Sequence, residues 1–329
     1  MTRDATREGS DASDATCIRS SGSVTRRASR SLRVVTLVLA VCDSAAAQNR
    51  GVYPLGMSAT NSGATPASGL TYSNLFILYA RDESRGADGE LLATGGNSVL
   101  MDMNTFAWAS RKTILGGARI AASATLPFAN NSLSSDATGA VSGGGGFADS
   151  YYQPLILGWE KTRVGLKAIY GFLAPTGRFA AGASDNVGSG YWTNVVASGQ
   201  SIYLTSDKRT AISAFEMYEV HGTQEGTDVR PGDTFNVDYS VTHTVGLTKE
   251  VDLQIGVVGY EQRQTSDRSG PAITAEQSSS RYAINAFGFA ANITLPSRKS
   301  SLGLKYFDEF SNKSTFQGYA LQISGSLTF

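Results

Sequence analysis

The chain has 329 residues, 41% of them hydrophobic and only 17% charged, and its formal net charge is zero. Soluble domains usually carry about a quarter charged residues, so the composition argues against an ordinary soluble globule. The lack of a basic excess argues against nucleic acid as a partner.

The first element in chain order is a leader. Arg26, Arg27, Arg30 and Arg33 precede the apolar run from Val34 to Val41, and Ala45, Ala46 and Ala47 follow it. A membrane helix needs about 20 apolar residues, far more than this run supplies. A basic stretch, a short apolar stretch and small residues in that order make a secretory signal peptide, with cleavage expected after Ala47. Residues 1–23 are polar and carry Asp4, Glu8, Asp11 and Asp14, so translation is expected to begin at Val24. Cys17 and Cys42 both lie in this 1–47 leader, which leaves the exported chain without thiol or disulfide. Residues 48–69 follow as an N-terminal extension rich in Gly, Ser, Thr and Asn, with no clear strand pattern. Two placements are open for it: threaded into a lumen as a plug, or trailing in the periplasm.

From Leu70 to Phe329 the pattern is one of about twelve strands, each of a length that suits a tilted membrane strand. They are expected at 70–80, 98–110, 114–126, 151–160, 163–174, 191–205, 208–221, 234–248, 251–264, 281–295, 301–310 and 315–329. Period-two alternation is clearest in the last: Tyr319, Leu321, Ile323, Gly325, Leu327 and Phe329 share one face, and Ala320, Gln322, Ser324, Ser326 and Thr328 the other. The segment 234–248 repeats it, with Phe235, Val237, Tyr239 and Val241 opposed to Asn236, Asp238, Ser240 and Thr242. Connections alternate between long (81–97, 127–149, 175–190, 222–233, 265–280) and short (111–113, 161–162, 206–207, 249–250, 296–300), and only 311–314 breaks the series. Long external loops and short periplasmic turns are the mark of an outer-membrane barrel. The expected fold is therefore an all-β, transmembrane, antiparallel up-and-down β-barrel in the bacterial outer membrane, surrounded by lipid and preceded by a cleaved signal peptide. The terminal Phe329 is the kind of residue that barrel assembly machinery reads. Tyr72, Trp108, Tyr151, Tyr152, Trp159 and Trp192 lie near strand ends and suit interfacial girdles.

No catalytic site is expected. There are two histidines in the chain, and Asp238 and His243 fall on opposite faces of their strand. His221 is expected at the rim beside Gly222, and Gly143 to Gly146 in a flexible external loop. No metal or cofactor pattern stands out. Charges in mid-strand are more informative, because a cation facing lipid near the midplane costs about 2–4 kcal/mol. Lys167, Glu216, Asp238 and Lys305 are therefore expected to face the lumen, Glu216 because Phe215 and Met217 flank it. Such groups can form a constriction or relay for transport, or they can be salt bridges that fill a narrow barrel.

Several ordered motifs carry a family resemblance. They are Tyr53-Pro-Leu-Gly56, Ser68-Gly-Leu-Thr-Tyr72, Gly146-Phe-Ala-Asp-Ser-Tyr-Tyr-Gln-Pro-Leu-Ile-Leu-Gly-Trp159, Ala174-Pro-Thr-Gly-Arg-Phe179, Asn186-Val-Gly-Ser-Gly-Tyr-Trp-Thr193 and Arg230-Pro-Gly-Asp-Thr-Phe235. In this order they resemble the outer-membrane protein family of the meta-cleavage pathway of phenol degradation, and the resemblance covers nearly all of 51–329. One departure is Ala148 before Asp149, where many members have Gly. The resemblance implies passive uptake of small hydrophobic or aromatic compounds and brings no catalytic residues. A general diffusion porin and a structural or adhesive barrel are the alternatives.

Overall fold

A computed structural model of the chain describes residues 51–114, 116–135 and 139–329. The expected signal peptide and the start at Val24 lie outside these residues. Thirteen antiparallel strands follow in chain order. They are β1 (Gly69–Arg85), β2 (Leu91–Ile114), β3 (Ala118–Ser135), β4 (Gly139–Phe147), β5 (Ser150–Glu160), β6 (Val164–Ala174), β7 (Thr193–Tyr203), β8 (Thr210–His221), β9 (Thr234–Gly246), β10 (Asp252–Gln264), β11 (Ala283–Leu295), β12 (Ser300–Glu309) and β13 (Thr315–Thr328). Neighbours in sequence pair in sequence, and β1 closes the ring on β13 from Thr71↔Thr328 to Arg85↔Thr315. β4 pairs with β3 alone, and β5 takes over the lower part of β3, so twelve strands form the closed wall and β4 is a hairpin arm above it. Closure leaves no strand edge facing hydrocarbon, which offers no hydrogen-bond partner.

The alternation expected for β9 and β13 is the alternation found. On β9, Asn236 and Asp238 are fully buried inside while Phe235 and Val241 are exposed outside. The outward faces of β11 and β12 present Phe287, Phe289, Ile293, Leu302, Leu304 and Tyr306 to lipid. Short turns join β5 to β6, β7 to β8, β9 to β10 and β11 to β12 at one end, and longer loops join β6 to β7, β8 to β9 and β10 to β11 at the other. The last of these loops carries the one-turn helix α1 (Ala275–Ser279).

Two expected loops are strand. The 81–97 loop shrinks to a turn at 86–90, where Gly86 and Gly89 close it through N–H bonds to Glu90 O (2.9 Å) and Gly86 O (3.1 Å). The Gly143 to Gly146 run expected as flexible loop lies in β4. Glycines have no side chains to alternate, so backbone pairing with β3 makes this strand without a period in the sequence.

Candidate functional site

The lumen is occupied by the chain's own N-terminal extension. Residues 51–66 lie against the inner wall, and inward-pointing side chains bind their backbone. Val52 and Tyr53 donate their N–H groups to the two oxygens of Glu219, both at 2.9 Å. The Tyr53 hydroxyl donates to Asp238 Oδ2 at 2.5 Å, while the N–H groups of Gly56 and Ser58 donate to Oδ1 and Oδ2 at 3.0 Å each. Lys305 Nζ donates to the carbonyls of Gly56 (2.8 Å) and Met57 (2.7 Å), and Gln322 Nε2 to that of Leu55 (2.7 Å). Hydrogen bonds to a buried charge each contribute about 1.5–3 kcal/mol. Burial first, and then the Asp238 carboxylate, push the Tyr53 phenol well above its usual range, so it remains a donor.

Apolar packing completes the seat. The Tyr53 ring stacks on Phe215 with centroids 5.4 Å apart. Gly56 takes φ +79° beneath the Phe307 ring, which a Cβ there would meet at 2.5 Å. At Gly63 a Cβ would lie 2.2 Å from Gly165 O and 2.4 Å from Ser201 N, so only glycine lets the segment touch the wall there.

The segment covers one side of the lumen more than the other. Inward residues of β8, β9, β10 and β12 (Glu219, Asn236, Asp238, Tyr260, Phe307) are fully buried. Asn236 Nδ2 donates to Glu219 Oε1 at 3.0 Å, and Asn236 Oδ1 accepts from Gln262 Nε2 at 2.6 Å. Arg81 Nε faces Glu309 Oε2 at 3.5 Å, and Tyr260 and Asn312 donate to the same carboxylate at 3.0 Å. By contrast, Leu75, Val99, Met101, Thr105, Ser123, Gln153 and Lys167 on β1, β2, β3, β5 and β6 are only half-buried. Val52 and Met57 of the segment are partly buried and pack against the core.

The family model described as "Putative MetA-pathway of phenol degradation" matches residues 80–324. The chain belongs to this family. No functionally curated protein matches the sequence. Among solved structures, it is similar to the COG4313 outer membrane channel from Pseudomonas putida F1, at 14% identity and TM-score 0.67, over 85% of this chain and 100% of that one. That likeness shows a shared β-barrel fold. Weaker likenesses are to the β domain of the Bordetella autotransporter BrkA (10% identity, TM-score 0.48, 80% of this chain and 100% of that one) and to the CymD monoaromatic hydrocarbon channel (12% identity, TM-score 0.33, 86% and 94%).

In this family member, Lys167, Asp238 and Lys305 face the lumen. Asp238 and Lys305 meet at the Gly56 peptide, whose N–H and C=O they bind. Glu216 does not join them and corrects the expectation. It points outward with Tyr218, and its Oε2 accepts from Ser198 Oγ (2.8 Å) and Gln200 Nε2 (2.9 Å) on the outer face of β7. The flanking Phe215 and Met217 face not lipid but the lumen, where the Tyr53 ring stacks on Phe215. His221 is not at an open rim but buried beneath Tyr191, with Nδ1 2.8 Å from Thr193 Oγ1. Tyr151 is also inside and not in a girdle, whereas Trp108 and Trp192 are exposed. Sequence reasoning missed Glu219, Arg81 and Glu309. Glu219 was within reach, since alternation places it opposite Glu216 on the same strand.

Proposed function

We propose that this protein is a channel for passive uptake of small hydrophobic or aromatic compounds across the outer membrane, with residues 51–66 as a plug that narrows its lumen. The observation that carries this reading is the uneven inner wall. The β8–β12 side is closed against the segment by buried carboxylates and aromatics. The β1–β6 side stays partly open and presents Leu75, Val99 and Met101, which suit an apolar solute better than a hydrated sugar. Adaptable methionine side chains accommodate solutes of varied shape. Family membership and its printed link to phenol degradation support the aromatic class. The exposed Phe329, which follows the closing strand and donates its N–H to Leu70 O, is the proposed mark for barrel assembly machinery.

The test is uptake of a labelled neutral monoaromatic compound at low concentration, beside a hydrophilic sugar of similar size, in cells with and without the protein. Faster entry of the aromatic alone supports the reading. Equal gain for both makes the protein a general porin, and no gain for either removes transport.

A further inference from the structure

The inward-facing ionised side chains differ in how they are satisfied. Asp238 accepts three hydrogen bonds and Lys305 donates two, all of them with residues 53–58. Glu219 is bound by two backbone N–H groups and Asn236. Arg81 and Glu309 face each other. Lys167 stands apart. Among the described residues no acceptor bonds its ammonium group, and no carboxylate lies close enough to act on it.

The local register explains why it is alone. Lys167 lies between Gly158 of β5 and Gly199 of β7 in the ladders. Both neighbours lack a side chain, and the N-terminal segment occupies that space: a Cβ on Gly158 would meet Thr65 Oγ1 at 2.6 Å, and one on Gly199 would meet Ser62 O at 2.2 Å. The Lys167 stem passes the Gly199 position at 3.3 Å from that same Cβ, and its side chain stays half-buried on the more open side of the lumen. Arg119 lies across Gly158 on the same row of the inner wall, but its Nη1 donates to the Pro66 carbonyl at 3.0 Å, and Ile156 and Ile169 are buried inward positions farther along β5 and β6.

We infer that Lys167 is an anion-recognising subsite of this lumen, so that the channel takes small aromatic acids in their ionised form ahead of aromatic amines of the same size. A fixed cation in a narrow, low-dielectric passage raises the local concentration of anions and repels cations. The ring that such an anion carries is received by the half-buried apolar side chains of the same side of the lumen, Leu75, Val99 and Met101. The selected class is a phenolate or an aromatic carboxylate, and the inference rests on the lumen being the route.

The experiment uses the full exported chain in planar bilayers, with a gradient of benzylammonium benzoate and the reversal potential as readout. The wild type is expected to favour benzoate several-fold over benzylammonium. Lys167→Met should remove that preference, Lys167→Glu should reverse the sign of the potential, and Lys167→Arg should keep it. The wild-type preference should also shrink at about 1 M salt, where the Debye length is about 3 Å. Heat-modifiable mobility checks that each variant is folded. A conducting wild type whose potential is unmoved by Lys167→Met and Lys167→Glu overturns the subsite and leaves the channel reading intact. No conductance to either ion also overturns the subsite, while the cell-uptake result decides separately on the channel.

Discussion

Glu216 and Glu219 lie on the same strand, β8, and face different surroundings. Glu219 points into the lumen and is fully buried, with Val52 N–H, Tyr53 N–H and Asn236 Nδ2 on its two oxygens. Glu216 points at the membrane and accepts from Ser198 and Gln200 of the adjacent strand. The first ties together segments separated by more than half the chain, while the second makes a local cross-strand contact. A carboxylate in a barrel wall therefore cannot be assigned a role from its mid-strand position. What matters is the face, and the face follows from what fills the lumen.

The largest effect expected to sharpen this contrast is at Glu219. Glu219→Ala leaves two buried backbone donors unpaired, a loss of about 2–4 kcal/mol in the seating of the segment. Protease cleavage within residues 51–66 should then become fast and ion conductance should rise. A segment as protected as in the wild type would break the comparison. A smaller effect is expected from Tyr53→Phe, which keeps the ring stack on Phe215 but removes the bond to Asp238. It should weaken seating by about 1.5–3 kcal/mol, read as a partial rise in the same cleavage rate. The smallest is at Glu216, where Glu216→Leu exchanges an outward carboxylate for a side chain that lipid prefers. Urea unfolding in vesicles should show stability within about 1 kcal/mol of the wild type or above it. A loss much larger than that would mean Glu216 holds the wall together as Glu219 holds the plug.

Much of the barrel could be read from residue order. Period-two alternation marks β6, β9 and β13, because one face meets hydrocarbon and the other a polar interior, whereas the segments 191–205 and 281–295 alternate poorly in the sequence. The alternating connection lengths oriented the ladder. The limits of that reading also have physical causes. β4 is built largely of glycine and small residues, and a strand without side chains leaves no pattern. β8 carries apolar residues on both faces, Phe215 and Met217 inward and Ile212 and Tyr218 outward, so the sequence alone puts its Glu216 on the wrong side.

The sequence by itself determined the strand count of the wall, its antiparallel order and the inward placement of Lys167, Asp238 and Lys305, since these follow from local periodicity and turn chemistry. Only the tertiary structure decided where residues 51–66 go, that Glu219 rather than Glu216 anchors them, and that Lys167 has no bonded partner among the described residues. These outcomes depend on contacts between residues far apart in the chain, such as Gly63 against Gly165 and Ser201 or Tyr53 against Asp238, and no local pattern encodes a contact at that range.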